Sequence, residues 1–425
     1  METLDKPLTK NIRPDRAFAT LADYESTGGY QGLRKALAEL QPKDAQQWVK
    51  DAGLRGRGGA GFSTGLKWSL VPIDDLSQTR YLIANADEME PGTFKDRMLL
   101  EQDPHQLIEG MIIAAYAIQA QKAYIFLRGE YHVAKLRLEN ALLEARSKGY
   151  LGEHILNSAF NLEIVLHTSA GHYICGEETA LLNALEGKRA TPRAKPPFPL
   201  VSGLWGRPTV VDNVETLCNV PHILHYGVEW YQGLGLGADK GTKLFGASGR
   251  VKHPGLWELP MGTPIREIIE QHAGGMSDGY KLRGFLPGGA STDFLLAEHL
   301  DVVMDYEAVA KAGSRMGTGV IIVLDDHTCP VQMVLNLEQF FAQESCGWCT
   351  PCRDGLPWTV TLLKDIIAGK GCIEDLDTLA GLTQMLGPGN TFCALAPGAM
   401  EPLQSALKYF RADFERYITA NREPT

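Results

Sequence analysis

Three cysteines on a three-residue step, Cys346-Gly-Trp-Cys349-Thr-Pro-Cys352, set the tightest constraint on how this chain can fold. One tight loop with that spacing aims three thiolates at a common point, which is what an iron-sulfur cube requires of its protein. Two single cysteines downstream, Cys372 and Cys393, can each complete a set of four, and spacing alone does not choose between them. A structural zinc site more often draws its cysteines from two separated C-x2-C pairs. A disulfide framework suits a short secreted chain, whereas this one has 425 residues, only 8 Cys and a polar start, Met1-Glu-Thr-Leu-Asp-Lys6, with no cleavable signal. Reduced thiols in a cytosol are expected, and electron transfer is the first function to follow.

With 44% hydrophobic residues and 45 Gly, a chain of this length buries a large core and divides into about three domains or more. The longest apolar stretch, Leu107 to Ile118, contains Glu109 and Gly110 and is too short to span a bilayer, so it reads as a buried helix. Membrane association would have to come through partners. A net charge of -10 without a Lys/Arg cluster argues against a nucleic-acid surface.

Up to about Ala52 the pattern is helical and polar, and with the glycine-dense segment that follows it forms a first region, 1–65. The second, 66–237, alternates strands and helices: Tyr81 to Ala84, Tyr124 to Leu127 and Leu162 to Leu166 are β-rich runs, each followed by a polar turn and a helical pattern. This predicts an α/β fold with a Rossmann-like parallel sheet covered by helices. Gly233-Leu-Gly-Leu-Gly237 resembles a nucleotide loop only superficially and reads as a hinge. In 238–330, Lys243 to Phe245, Gly255 to Leu259 and Lys281 to Leu286 read as strands, with Thr263-Pro264 capping a helix over Ile265 to His272. A small α+β domain of ubiquitin-like (β-grasp) type is expected there. After Pro330 the pattern is helical (Val331 to Gln343, Trp358 to Ala368, Ile373 to Leu386, Met400 to Ala420), so 331–425 is expected to be a bundle carrying the cysteine loop.

Gly56-Arg-Gly58-Gly59-Ala-Gly61 satisfies G-x-G-x-x-G, a turn bare enough for backbone N–H groups to approach a phosphate. Its context is unusual, because the helical stretch Ala45 to Ala52 precedes it where a common dinucleotide fold has a strand. Phe62, Lys67 and Trp68 nearby supply a stacking ring and a cation that a plain linker has no need for. A third site comes from the strand ends, beyond which ligands bind in open α/β sheets. There the sequence reads Asn85-Ala-Asp87-Glu88-Met-Glu90, Arg128-Gly-Glu130-Tyr131 and His172-Tyr173-Ile-Cys175-Gly176-Glu177-Glu178-Thr179. Six acids on three such loops exceed what helix first turns require, and one shared crevice is expected.

Arg57-Gly-Gly-Ala-Gly-Phe-Ser-Thr-Gly-Leu-Lys-Trp68, Asn85-Ala-Asp-Glu88, Tyr173-Ile-Cys-Gly-Glu-Glu-Thr179, Lys195-Pro-Pro-Phe-Pro199 and Glu344-Ser-Cys-Gly-Trp-Cys-Thr-Pro-Cys-Arg353 together resemble the family of NADH-binding, FMN-bearing subunits of respiratory complex I. The likeness runs over nearly the whole chain. It implies that Gly56, Gly58, Gly59, Gly61 and Lys67, the Asn85, Asp87 and Glu88 loop, and Tyr173, Gly176 and Glu177 hold FMN, with Asn213 and Thr216 completing the phosphate end. It implies NADH over the flavin, with adenine near Phe62 and Phe198, Glu90 and Lys195 on the ribose side, and Glu178 bordering the nicotinamide. The implied 4Fe-4S ligands are Cys346, Cys349, Cys352 and Cys393, which leaves Cys372 spare. Implied partners are a small 2Fe-2S subunit and a large subunit carrying a chain of clusters, at the cytoplasmic face of the inner membrane.

Two positions depart from the family pattern. Asp212 precedes Asn213 where an asparagine pair is usual, and an anion beside a phosphate must turn away, so Asp212 is excluded from the site. His172 stands where Arg is common and reads as a solvated loop histidine. The chemistry needs no side-chain base, because hydride passes from NADH to flavin and electrons leave singly for the cluster. An alternative is the diaphorase subunit of a soluble NAD-linked hydrogenase or formate dehydrogenase, which often carries extra iron-sulfur modules; their absence here favours the complex I reading. A reading from another class is a zinc-stabilised nucleotide-binding scaffold without turnover.

Overall fold

The computed structural model describes residues 5–420 apart from 16 and 76; the polar start at 1–4 and the end at 421–425 lie outside the described residues. Among the described residues, eight strands form two four-stranded sheets. The first is all parallel, in the order β3-β2-β1-β4, with β1 Tyr81–Ala86, β2 Lys122–Leu127, β3 Glu163–Thr168 and β4 Thr209–Asn213. Side chains alternate across it as the two-residue period requires. Leu82, Ala84 and Ala86 of β1 and Ala123, Ile125 and Leu127 of β2 face the core with the helices Pro104–Ile118 and Val214–Tyr226. Ile83, Tyr124, Phe126 and Val211 face the opposite core, which is shared with Ile174, Leu181 and the C-terminal helices. The sheet is therefore buried on both sides, as parallel sheets are.

The second sheet comprises β5 Thr242–Ser248, β6 Gly255–Pro260, β7 Leu282–Leu286 and β8 Val320–Asp325, in the order β6-β5-β8-β7. Its central pair β5/β8 is parallel and both flanking pairs are antiparallel, which is the β-grasp arrangement. Ile268 and Ile269 of the helical segment Glu267–His272 pack on its core with Phe245, Phe285 and Ile321. The C-terminal helices are Pro330–Glu344, Thr350–Ile367, Ile373–Met385, Leu395–Tyr409 and Arg411–Ala420.

Three expectations change. Two strands are added, β4 and β8, and β4 creates the sheet's point of reversal. The single helix expected over Met400 to Ala420 is two, broken at Phe410, whose buried ring packs edge-on against Phe294 at 5.4 Å. The expected hinge at Gly233 to Gly237 is an anchored connection, in which the Leu236 amide donates to the Met261 carbonyl at 2.8 Å.

A buried charge group joins the two sheets. Lys95 lies 2.8 Å from both Asp96 and Glu215, and Lys243 of β5 lies 3.0 Å from Glu215, all of them buried. The second Glu215 oxygen accepts from the Leu244 amide at 2.8 Å. Despite burial, the two lysines hold the Glu215 carboxyl down at about 2, against an ordinary 4.5. A carboxyl depressed in the folded state contributes stability above its unfolded value, and that contribution is lost as pH falls from about 4.5 through 2. Glu215→Gln is expected to destabilise the protein by about 3–5 kcal/mol at neutral pH, since buried Lys243, which burial already pushes down to about 7, loses its carboxylate and Lys95 is left with Asp96 alone. In denaturant melts the gap between variant and parent should narrow as pH falls through that window.

Candidate functional site

Strand order reverses between β1 and β4, so a crevice opens at their carboxyl ends, where Asn85 stands in register with Asn213. The glycine segment arrives there not from the sheet but as a loop pinned at its base by an Arg55–Ser63 bridge and by the Gly56 amide donating to Phe62 O at 2.8 Å. Gly61, at φ +66°, could not carry a side chain, since a Cβ would lie 2.4 Å from the Tyr306 ring. At Gly58 a Cβ would stand 3.2 Å from the Asn213 Cβ, so the loop lies directly over the end of β4. Among the described residues, the amides of Gly58, Gly59, Ala60 and Gly61 donate to no protein acceptor. They form a short run of N–H donors suited to an anion.

The structure brings most of the expected residues to this crevice and uses some of them internally. The Asn85 side-chain Nδ2 donates to Gly176 O at 3.4 Å, linking the first strand end to the third loop. One Asp87 oxygen accepts from Ser169 at 2.8 Å, and the other is buried without a partner. Burial pushes the Asp87 carboxyl up to about 6. Gly176 is exposed, with no atom within 4 Å of where a Cβ would stand. An orphaned buried oxygen, an open backbone and unspent loop amides fit a polar ring system ending in a phosphate, as FMN is. Glu177 caps its helix through Thr179 and Ala180, and Lys195 bridges Glu177 and Glu178 at 3.1 and 2.8 Å. Phe62 and Phe198 are 52% and 56% exposed, free to take a flat ligand. Phe62 also borders a cavity of about 500 Å³ lined by Arg55, Gly61, Asp239 and Lys240.

Other residues of the set are held by protein partners. The Glu88 carboxylate accepts from the amides of Asp96 and Arg97 at 2.8 and 3.1 Å, capping helix Lys95–Gln102, and from the Tyr131 hydroxyl at 2.9 Å. Asn213 caps its own helix through the amides of Glu215 and Thr216, and the Thr216 hydroxyl accepts from the Arg57 amide at 2.8 Å. Lys67 sits 3.3 Å from Asp212 and 3.9 Å from Glu178, and Asp212 accepts from the Trp68 indole at 2.7 Å. Asp212 thus turns toward Lys67 and Trp68. Glu90 is held by the Tyr173 hydroxyl at 2.6 Å and by the Ser291 amide and hydroxyl at 2.7 Å. His172 is not a solvated loop histidine: its Nδ1 lies 2.9 Å from Glu344, whose same oxygen accepts from the Tyr173 amide at 3.0 Å. Ser169, Ser291 and the bracing role of Glu344 carry no signal in the sequence, because their partners are 82 to 201 residues away.

All eight cysteines are free thiols. Cys349 immediately precedes helix Thr350–Ile367 and Cys352 lies in its first turn, while Gly347, at φ +72°, turns the loop between Cys346 and Cys349. Trp348 and Phe392 meet edge-on at 6.3 Å and bring the segment bearing Cys393 against the triplet. Burial, with the Cys346 and Cys352 thiols beside it, pushes Cys393 up to about 12. Cys372 responds instead to Glu374 and Asp375. Three thiols from one loop with a fourth brought beside them are the donor set an iron-sulfur cube takes, although among the described residues no group of three or more is drawn together closely enough to hold a metal.

Residues 49–222 match the family model of the Nuo51 FMN-binding domain, 246–295 that of the SLBB domain, and 332–417 that of the NADH-ubiquinone oxidoreductase-F iron-sulfur binding region. The F subunits of NADH-quinone oxidoreductase from Salmonella typhimurium and Escherichia coli are each 60% identical to the chain, over 97% of it and 93% of theirs. Among solved structures, an NAD+-reducing [NiFe]-hydrogenase in its H2-reduced state superposes with a TM-score of 0.84 at 36% identity, over 95% of this chain and 68% of that one. At such identity along almost its whole length, the chain belongs to the family of NADH-quinone oxidoreductase F subunits.

Proposed function

We propose that this chain is the electron-input subunit of a respiratory NADH:quinone oxidoreductase, taking hydride from NADH at FMN and passing electrons singly through a 4Fe-4S cluster toward quinone. The observation that carries this reading is the meeting, at one crevice, of a glycine loop with unspent amides and a loop braced by the helix that ends at the cysteine motif. When bound, FMN supplies the conversion between a two-electron donor and a one-electron acceptor. The hydrogenase-type diaphorase is the less favoured reading, given 60% identity to the quinone-linked proteins against 36% to the hydrogenase chain.

The residues divide the work. Amides of Gly58, Gly59 and Gly61 would hold the flavin phosphate at a loop shaped by Gly56, and Lys67 would add a charge-assisted contact of about 1.5–3 kcal/mol. Asp212 fixes where that lysine stands. Asn85, Asp87, Tyr173, Gly176 and Glu177 would border the flavin ring, while Glu88, Asn213 and Thr216 brace the surrounding turns. Phe62 and Phe198 would receive the adenine and Lys195 the ribose side, with Glu178 beside the nicotinamide. Cys346, Cys349, Cys352 and Cys393 would ligate the cluster. The immediate partners in this reading are a small 2Fe-2S subunit and a large multi-cluster subunit, at the cytoplasmic face of the inner membrane. Among the described residues no helix is long and apolar enough to cross a membrane.

Anaerobic NADH titration tests the core of the reading: flavin absorbance should bleach and a reduced-cluster electron paramagnetic resonance signal should appear. Stoichiometric zinc without acid-labile sulfide or flavin absorbance would end it in favour of a static scaffold. Cys393→Ser should lose the cluster signal and its sulfide, whereas Cys372→Ser should keep both. Glu90, an anion held on the ribose side by Tyr173 and Ser291, would repel a 2′-phosphate. Glu90→Gln should raise the NADPH/NADH ratio of kcat/KM by about tenfold, the effect of roughly 1.4 kcal/mol; an unchanged ratio would show that the specificity lies elsewhere.

A further inference from the structure

We propose that Glu344 is a positioning residue that fixes the flavin-side loop against the cluster loop and thereby sets the electron step between them. The inference rests on the function proposed above. Glu344 is the last residue of helix Pro330–Glu344, two positions before Cys346, and its side chain is 13% exposed. One of its oxygens takes both Nδ1 of His172 at 2.9 Å and the Tyr173 amide at 3.0 Å, at the start of the turn Tyr173–Gly176 that reaches the crevice. The tether continues on either side. The Tyr173 hydroxyl donates to Glu90 at 2.6 Å, and Glu90 in turn is held by Ser291 of the β-grasp region. On the cluster side, Ser345 lies 3.1 Å from the Cys352 sulfur and Arg189 donates to the Cys346 carbonyl at 3.1 Å.

A carboxylate in this place does two separable things. Its hydrogen bonds hold two loops in one relative position, and small displacements of a reacting pair are costly in rate. Its negative charge, near the cysteines but outside their ligand set, favours the more oxidised cluster, as groups around a metal centre tune its potential. Removing the side chain should disturb both; an amide should preserve the first and change the second, because its oxygen still accepts from the Tyr173 amide.

The test uses Glu344→Ala and Glu344→Gln in the assembled complex, with rapid mixing against NADH under anaerobic conditions and redox titration of the cluster signal. In E344A, NADH should bleach the flavin to the parent extent while the cluster signal develops about tenfold more slowly or worse. In E344Q the cluster should reduce at close to the parent rate but with its midpoint potential shifted upward. Should E344A fail to assemble, the E344Q potential still decides, and an unshifted midpoint overturns the proposal. Parent-rate cluster reduction in E344A, or E344Q as slow as E344A, overturns it as well. If neither the parent nor the variants show flavin bleaching, the function itself has failed rather than the role of Glu344.

Discussion

Glu215, fully buried between Lys95 and Lys243, is the contact on which the rest of the structure depends. It sits in the first turn of helix Val214–Tyr226, directly after β4, while one of its lysines comes from the β-grasp sheet and the other from the helix that Glu88 caps. A buried anion shared by two cations cannot let one of them go without stranding a charge in low dielectric. The two sheets are therefore locked at a single relative placement. That placement brings Tyr306 under the glycine loop, where its hydroxyl donates to Gly56 O at 2.6 Å, and Ser291 against Glu90.

The crevice is accordingly a junction of separate pieces rather than a feature of one domain. Its floor is the reversal of strand order between β1 and β4, its roof is a loop from a helical segment, and its side wall is tied through Tyr173 to the helix leading into the cysteine motif. Carboxylates do much of the tying. Glu90, Asp212 and Glu344 each accept from two or more groups on distant parts of the chain, and Glu88 from two nearby helix amides and from Tyr131. The dense acids at the strand ends thus do more than offer charge to a ligand: several of them keep the loops in place.

Much of this was legible in the sequence, and what was not has physical causes. The alternating runs at β1, β2 and β3 and the flanking cysteine motif stand out because each is local in sequence. Val320–Asp325 does not, since an unbroken apolar run in a central strand has no period to distinguish it from a buried helix. Thr209–Asn213 is short, and the polar Asp212-Asn213 pair at its end disguises it. The scaffold role of Glu88 shows only in its partners, the helix amides 8 and 9 residues on that it caps, and the Lys67 that meets Asp212 is 145 residues away. Ligand-facing and scaffold carboxylates look alike until the fold assigns them neighbours.

Asn213 closes the start of its own helix, its side chain accepting from the Glu215 and Thr216 amides. In the usual dinucleotide arrangement those first-turn amides are the very donors a phosphate takes. Here they are already occupied, so an anion arriving at the reversal point must find its donors in a loop some 150 residues earlier in the chain. On the proposed function, phosphate capture would be divorced from the strand-turn-helix unit that normally encodes it. It would then be a property of the assembled fold, which no excised βα segment of this chain could retain.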